Sequence, residues 1–111
     1  MIVYGLKSCD TTRAALQALA AAGLAPVLVD LRQTPLDAAA LDWLLGALGP
    51  KLMNRASTTW RGLAEAERAA DPAALMLRHP TLIKRPVIEA GGRLTIGWGP
   101  QVRAMWLGTG G

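Results

Sequence analysis

The sequence predicts an α/β domain with a mixed sheet and an inserted helical segment. Two β-rich runs near the start flank a helical pattern, so the chain opens as β-α-β. The last third changes to two short apolar runs and a final helical pattern, and helices fill residues of about 34–80 between these parts. With 111 residues, of which 51% are hydrophobic, the chain suits a single domain over 1–111.

The β-α-β unit comes first. Residues 1–5 and 26–31 are apolar runs typical of short strands. Between them a helix is expected over 10–22, with Asp10 or Thr11 as its N-terminal cap and a glycine just after its end. A helical crossover of this kind makes the two strands parallel.

Helical patterns also occupy the insertion. One capped helix is expected to end near Gly49-Pro50, and another is opened by Asp71-Pro72 and closed by His79-Pro80. The stretch 51–60 is polar and less regular, and a short helix is expected at 62–69.

The C-terminal third predicts a hairpin and a helix. Residues 87–89 and 94–96 flank Gly91-Gly92, a pair typical of a two-residue turn. The terminal helix starts at Gly99-Pro100 and runs to about Leu107. The complete order, β-α-β, helices, β-β-α, is that of a thioredoxin-like fold with helices inserted between its halves.

Charge and composition narrow the function classes. The net charge is +4, but the basic residues are scattered and do not alternate with aromatics, so a small anionic ligand is expected rather than direct nucleic-acid binding. The sequence has neither an apolar run of about 18 residues nor a signal-peptide pattern at its start, which favours a cytoplasmic location and no membrane association. One cysteine and one histidine argue against an internal disulfide and a metal site.

Cys9 falls between the first strand and the first helix. Helix N-terminal N–H groups favour a thiolate, and such sites bring cysteine pKa values from about 8.5 to roughly 3.5–7.5. Lys7 and Arg13 add positive charge nearby, and Thr12 stands where a Cys-x-x-Cys motif has its second cysteine. A redox role for Cys9 therefore requires an external resolving thiol, such as glutathione or a partner protein. The alternative is that a lone cysteine is a small buried hydrophobe.

Arg85-Pro86 precedes the first strand of the hairpin. In thioredoxin-like folds a cis-proline commonly stands there and faces the thiol, and X-Pro is the bond type in which cis is accessible. Arg85 would then lie near Cys9, where a guanidinium can bind an oxyanion or carboxylate. Arg55, in the polar segment, could reach the same pocket. For both arginines the alternative is a solvated surface charge.

Three segments carry a family resemblance: Tyr4–Arg13, Asn54–Arg61 and His79–Val87. In order and spacing they resemble the arsenate reductase (ArsC)/Spx family over nearly the whole chain, and the YffB-like subgroup most closely. The run His-Pro-Thr-Leu-Ile-Lys-Arg-Pro is the most specific part. The resemblance implies a thioredoxin-like fold, a nucleophilic Cys9, and oxyanion binding by Arg55 and Arg85.

The resemblance also implies a redox partner. In glutaredoxin-coupled arsenate reductases, glutathione and glutaredoxin resolve the thiol adduct, so a glutathione-dependent oxidoreductase acting on an anionic or disulfide substrate is expected. Gly5 and Ile96 replace a histidine and an arginine of those reductases. Arsenate reduction proper is one alternative, and an Spx-like regulator that binds RNA polymerase is the other, although Thr12 removes the Cys-x-x-Cys switch of such regulators.

Overall fold

The computed structural model describes residues 1–108, which hold a four-stranded mixed sheet and six α-helices. The last three residues of the predicted domain lie outside the described part. Two compact units are present, one made of Met1–Gln33 with the chain from Arg85 onward, the other of Thr34–Lys84. The mixed sheet and the order of its elements confirm the predicted α/β, thioredoxin-like fold.

The sheet belongs entirely to the first unit. Its strands lie in the order β2-β1-β3-β4, with β1 parallel to β2 and antiparallel to β3, and β3 antiparallel to β4. Gly91 and Gly92 have φ angles of 57° and 79°, as the type I′ turn of a two-residue hairpin requires. The bounds are β1 Ile2–Gly5, β2 Val27–Asp30, β3 Val87–Ala90 and β4 Arg93–Ile96.

Two helices of the same unit are α1, Asp10–Ala21, and α6, Pro100–Leu107. At the end of α1, Gly23 has a φ of 79° and donates its N–H to the Ala20 carbonyl, while the Leu24 N–H bonds Leu19. These two bonds form a Schellman motif, in which glycine is favoured. One core cluster of the unit is formed by Val3, Leu19 and Ile88, against which Met1, Leu16, Trp98, Trp106 and Leu107 pack.

The start of α1 differs from the prediction. The capping residue is Cys9, with extended backbone angles of φ −86° and ψ 119°, and Asp10 is already helical. The expectation that Asp10 or Thr11 caps the helix was therefore wrong. It followed the preference for oxygen-bearing side chains at caps, which this helix does not obey.

The second unit holds α2 Ala38–Leu48, α3 Thr58–Arg61, α4 Glu65–Arg68 and α5 Pro72–Arg78. Short 3₁₀ turns at Gly49–Leu52 and Pro80–Leu82 follow α2 and α5, where Gly-Pro and His-Pro end the helices as predicted. A bridge joins Met53 to Ile83. The fully buried apolar side chains of this unit are Leu41, Leu44, Leu52, Leu75, Met76 and Leu82.

Within residues 1–108, no helix combines the length and apolar character needed to cross a membrane.

Candidate active site

The loop from β1 to α1 places Cys9 at the start of the helix. The Cys9 N–H donates to the Leu6 carbonyl at 3.0 Å, and the Arg13 N–H donates to the Cys9 carbonyl at 3.0 Å. The second bond is the first of the helical ladder, so the Cys9 side chain stands beside the free N–H groups of the first turn. Its side chain is partly exposed.

Asp30, at the end of β2, fixes the same loop. Its Oδ2 accepts the Lys7 N–H at 2.9 Å, and its Oδ1 accepts the N–H groups of Arg32 at 2.9 Å and Gln33 at 3.2 Å. Only 9% of the residue is exposed. The hydrogen bond from Lys7 is the main reason that the pKa of the Asp30 carboxyl lies below its ordinary value, against the opposing effect of burial. Asp30 is not among the residues predicted for the site, although an acidic residue at the end of an apolar strand is a visible signal in the sequence.

Several hydrogen bonds converge on the Cys9 sulfur. Partial burial raises the pKa of the thiol, but the Thr12 hydroxyl and N–H, the Arg85 side chain and the Thr11 N–H all donate to the sulfur and lower it. The net effect is a pKa below the ordinary value. Hydrogen bonds to the charged form stabilise a thiolate, which is the reactive form of cysteine.

Arg85 reaches the sulfur from the segment before β3. The Arg85–Pro86 peptide bond is cis, as the sequence predicts. The Arg85 side chain hydrogen-bonds Cys9, so the structure brings together three of the residues singled out in the sequence: Cys9, Thr12 and Arg85.

The other predicted anion-binding residues have different surroundings. Lys7 contributes its backbone N–H to Asp30, and its side chain is exposed. Arg13 forms an ion pair with Asp10 on the surface. Arg55 belongs to the second unit, where its guanidinium lies 5.5 Å from the centre of the Trp60 ring. Substrate binding by Lys7, Arg13 and Arg55 stays a prediction.

The two departures from the arsenate reductase pattern both lie on strands. Gly5 ends β1 next to the Thr12 side chain. Ile96 ends β4, pairs with Val87 in the sheet and is partly buried. Among the described residues, no three His, Cys, Asp or Glu side chains come together as a metal site would require. The chemistry that this arrangement supports is nucleophilic attack by a thiolate.

Comparisons with known proteins identify the family of the chain. The model of the ArsC family matches residues 4–104. An uncharacterized protein of Haemophilus influenzae is 39% identical over 101 residues, covering 86% of this chain and 89% of that protein. The solved structure of a YffB protein has a TM-score of 0.85 and 37% identity, with 96% of this chain and 97% of that chain covered.

A second solved structure is that of an arsenate reductase (ArsC) related protein from Brucella melitensis. It has a TM-score of 0.73 and 37% identity, with 95% of this chain and 92% of that chain covered. These matches extend over nearly the whole of each protein, and they confirm the resemblance predicted from the three sequence segments.

Proposed function

Because the chain belongs to the ArsC family, we propose that it is a thiol-dependent reductase with Cys9 as its nucleophile. Family membership and the arsenate reductase-related structure support a thiol-dependent reductase in general. The observation that carries the proposal for this chain is the set of donors around the Cys9 sulfur, from Thr11, Thr12 and Arg85. A structural cysteine buried among apolar groups has its pKa raised instead.

The reductant that we propose is external glutathione, acting alone or through glutaredoxin. Cys9 is the sole cysteine of the chain, so a mixed disulfide formed on it has no internal thiol to resolve it. Thiol–disulfide exchange runs through such a mixed disulfide, and its second step requires another thiolate. Glutathione, with two carboxylates, also suits a site that contains an arginine.

The proposed substrate class is a disulfide that carries an anionic group, such as a glutathione mixed disulfide. The Cys9 thiolate attacks its glutathione sulfur, a new S–S bond forms between Cys9 and glutathione, and the other thiolate leaves and takes a proton from water. A second glutathione thiolate then attacks the mixed disulfide. This step releases oxidised glutathione and restores the Cys9 thiolate. In the net reaction one free glutathione thiol is oxidised to the disulfide level, and the sulfur of the leaving group is reduced to a thiol.

Arg85 has a role in both steps. Its guanidinium carries five N–H donors, so it can hold the Cys9 sulfur with one and an anionic group of the incoming molecule with others. When the thiolate becomes a disulfide sulfur, it loses its charge and its strength as an acceptor. The donors that faced it then become available to the next anion.

Arsenate is a second candidate substrate, since a solved relative is described as arsenate reductase related. Positions 5 and 96 carry glycine and isoleucine here, so neither brings a cation to an arsenate dianion. We therefore favour the disulfide and keep arsenate as one arm of the test.

The test is a turnover assay with glutathione, in which glutathione reductase and NADPH report oxidised glutathione. One arm contains a glutathione mixed disulfide, another contains arsenate with glutaredoxin, and Cys9→Ser is the control. We expect disulfide turnover that Cys9→Ser abolishes, and a Cys9–glutathione adduct visible by mass spectrometry of the intact protein. Turnover confined to the arsenate arm would transfer the proposal to arsenate. Equal rates for the wild type and Cys9→Ser in both arms would remove it.

A further inference from the structure

Thr12 lies in the first turn of α1, against the end of β1. It is fully buried, with no exposed surface, although it is polar. Its Oγ1 is 3.5 Å from the backbone nitrogen of Leu6 in a long hydrogen bond. Its hydroxyl also hydrogen-bonds the Cys9 sulfur. A buried hydroxyl needs partners, and these two contacts supply them.

The two contacts fix the direction of the hydroxyl proton. The Leu6 N–H can only donate, so the Thr12 oxygen accepts there. The single hydroxyl proton is then left for the Cys9 sulfur. This orientation favours a sulfur that accepts, which is the thiolate.

Gly5 provides the space that Thr12 occupies. A methyl group added to Gly5 would lie 2.5 Å from Oγ1 and 2.6 Å from Cγ2 of Thr12. Both distances are far shorter than any van der Waals contact between these atoms. Glycine is therefore required here by the close approach of α1 to β1. Any larger side chain at position 5 would displace Thr12.

We infer that Thr12 is the positioning residue of this site, and that Gly5 is its complement: the space above Gly5 lets the Thr12 hydroxyl hold the Cys9 sulfur in place. The inference rests on the proposed function, because holding the sulfur matters only where Cys9 is the nucleophile. It also gives one of the two departures from the arsenate reductase pattern, Gly5, a structural reason, because the Thr12 side chain occupies the space that a side chain at position 5 would need.

The first experiment compares Thr12→Val with Thr12→Ser. Valine keeps the shape of threonine and removes the hydroxyl, whereas serine keeps the hydroxyl and removes a methyl group. The rate of Cys9 alkylation by iodoacetamide is measured from acid to alkaline pH for each purified variant, with Thr34→Val on the exposed bend before α2 as the matched control. Thermal unfolding shows that each variant is folded.

Thr12→Val is expected to raise the pKa of Cys9 and to slow alkylation at neutral pH by roughly tenfold or more, as the loss of one hydrogen bond to a charged group would do. Thr12→Ser and Thr34→Val are expected to keep the wild-type pH profile. A merely structural role would instead lower Tm in Thr12→Ser and leave the pH profile of Thr12→Val unchanged.

The second experiment tests the packed pair. Gly5→Ala is expected to lower Tm and to slow alkylation in the wild-type background. The decreases in Tm and in alkylation rate should be smaller in a Thr12→Ala background, which lacks the Oγ1 and Cγ2 atoms that lie closest to the added methyl group. Additive effects in the double variant would overturn the pairing, since independent sites add and contacting sites do not.

The outcomes separate the two claims. An ordinary thiol pKa in the wild type would remove the proposed function together with this inference. A low pKa in the wild type that Thr12→Val leaves unchanged would overturn the inference alone.

Discussion

The N-terminus of α1 differs from those of α2, α3 and α5. In the latter three, an oxygen-bearing side chain caps the helix: Asp37 accepts the Ala40 N–H at 2.8 Å, Ser57 accepts that of Trp60 at 3.2 Å, and Asp71 accepts that of Ala74 at 3.2 Å. The capping residue of α1 is Cys9, which makes no such side-chain hydrogen bond. Its first-turn N–H groups face the sulfur instead.

Under the proposed function, this difference distinguishes a helix start that serves reactivity from helix starts that serve stability. An oxygen cap stabilises a helix by about 1 kcal/mol, and α1 lacks this contribution. In return, the N–H groups of Thr11 and Thr12 remain available to a thiolate. Sacrificing local stability at a reactive site is a common pattern in enzymes. A capping oxygen introduced at the start of α1 should therefore raise the free energy of unfolding and abolish alkylation. Removal of a cap from another helix should lower the free energy of unfolding and leave alkylation unchanged.

Cys9→Ser should have the largest effect on alkylation and turnover. The serine oxygen can accept an N–H from the first turn, so we expect the free energy of unfolding to rise by about 0.5–1 kcal/mol while alkylation and turnover are lost. Urea denaturation measures the first quantity, and Cys9→Ala, which has no oxygen, is the control. Equal stability of the serine and alanine variants would contradict the view that α1 lacks a cap.

Arg85→Gln should have the next largest effect on the alkylation of Cys9. It removes a charged donor to the Cys9 sulfur, so alkylation at neutral pH should slow by roughly tenfold or more and the pKa of Cys9 should rise. Arg103→Gln, on the exposed side of α6, is the matched control. An unchanged pH profile in Arg85→Gln would show that the guanidinium does not stabilise the thiolate.

Asp71→Ala should affect stability alone. It removes the cap of α5 and should lower the free energy of unfolding by about 1 kcal/mol, since the Ala74 N–H loses its acceptor. The alkylation rate of Cys9 should not change, and both quantities can be measured on the same preparation. A change in alkylation comparable to that of Arg85→Gln would break the distinction between the two kinds of helix start.

Lowering the pH is expected to have the smallest effect, a decrease in Tm. The pKa of Asp30 is lowered in the folded protein, chiefly by the Lys7 N–H, so its contribution to stability is present above the ordinary value of about 3.9 and is lost as pH falls through the folded value. Tm should therefore fall below about pH 4, and Asp30→Asn should make this fall shallower. The two proteins should be compared by thermal unfolding across that range, and parallel curves would contradict the assignment.

The sequence preferences of turns and helix ends predicted several features of the fold. Gly91-Gly92 set the hairpin turn, Asp71-Pro72 opened α5, and Cys9 was placed between β1 and α1, because each of these depends on neighbouring residues. The capping rule failed at α1, where Cys9 precedes the first helical residue and no side-chain oxygen accepts a first-turn N–H.

Contacts between distant residues were not predictable in this way. Asp30 holds the Lys7 N–H across 23 residues, which depends on the parallel pairing of β1 with β2. The fit of Thr12 over Gly5 depends on how closely α1 approaches the end of β1. The spacing of residues along the sequence indicates neither the register of two strands nor the distance between a helix and a strand.

The most direct test of the central claim is a titration of the Cys9 thiolate by its ultraviolet absorbance, with Cys9→Ser as the blank. Hydrogen bonds from the first turn of α1, from Thr12 and from Arg85 predict a single transition with its midpoint below the ordinary cysteine value. A midpoint at or above that value would contradict the claim that the start of α1 is reserved for a thiolate.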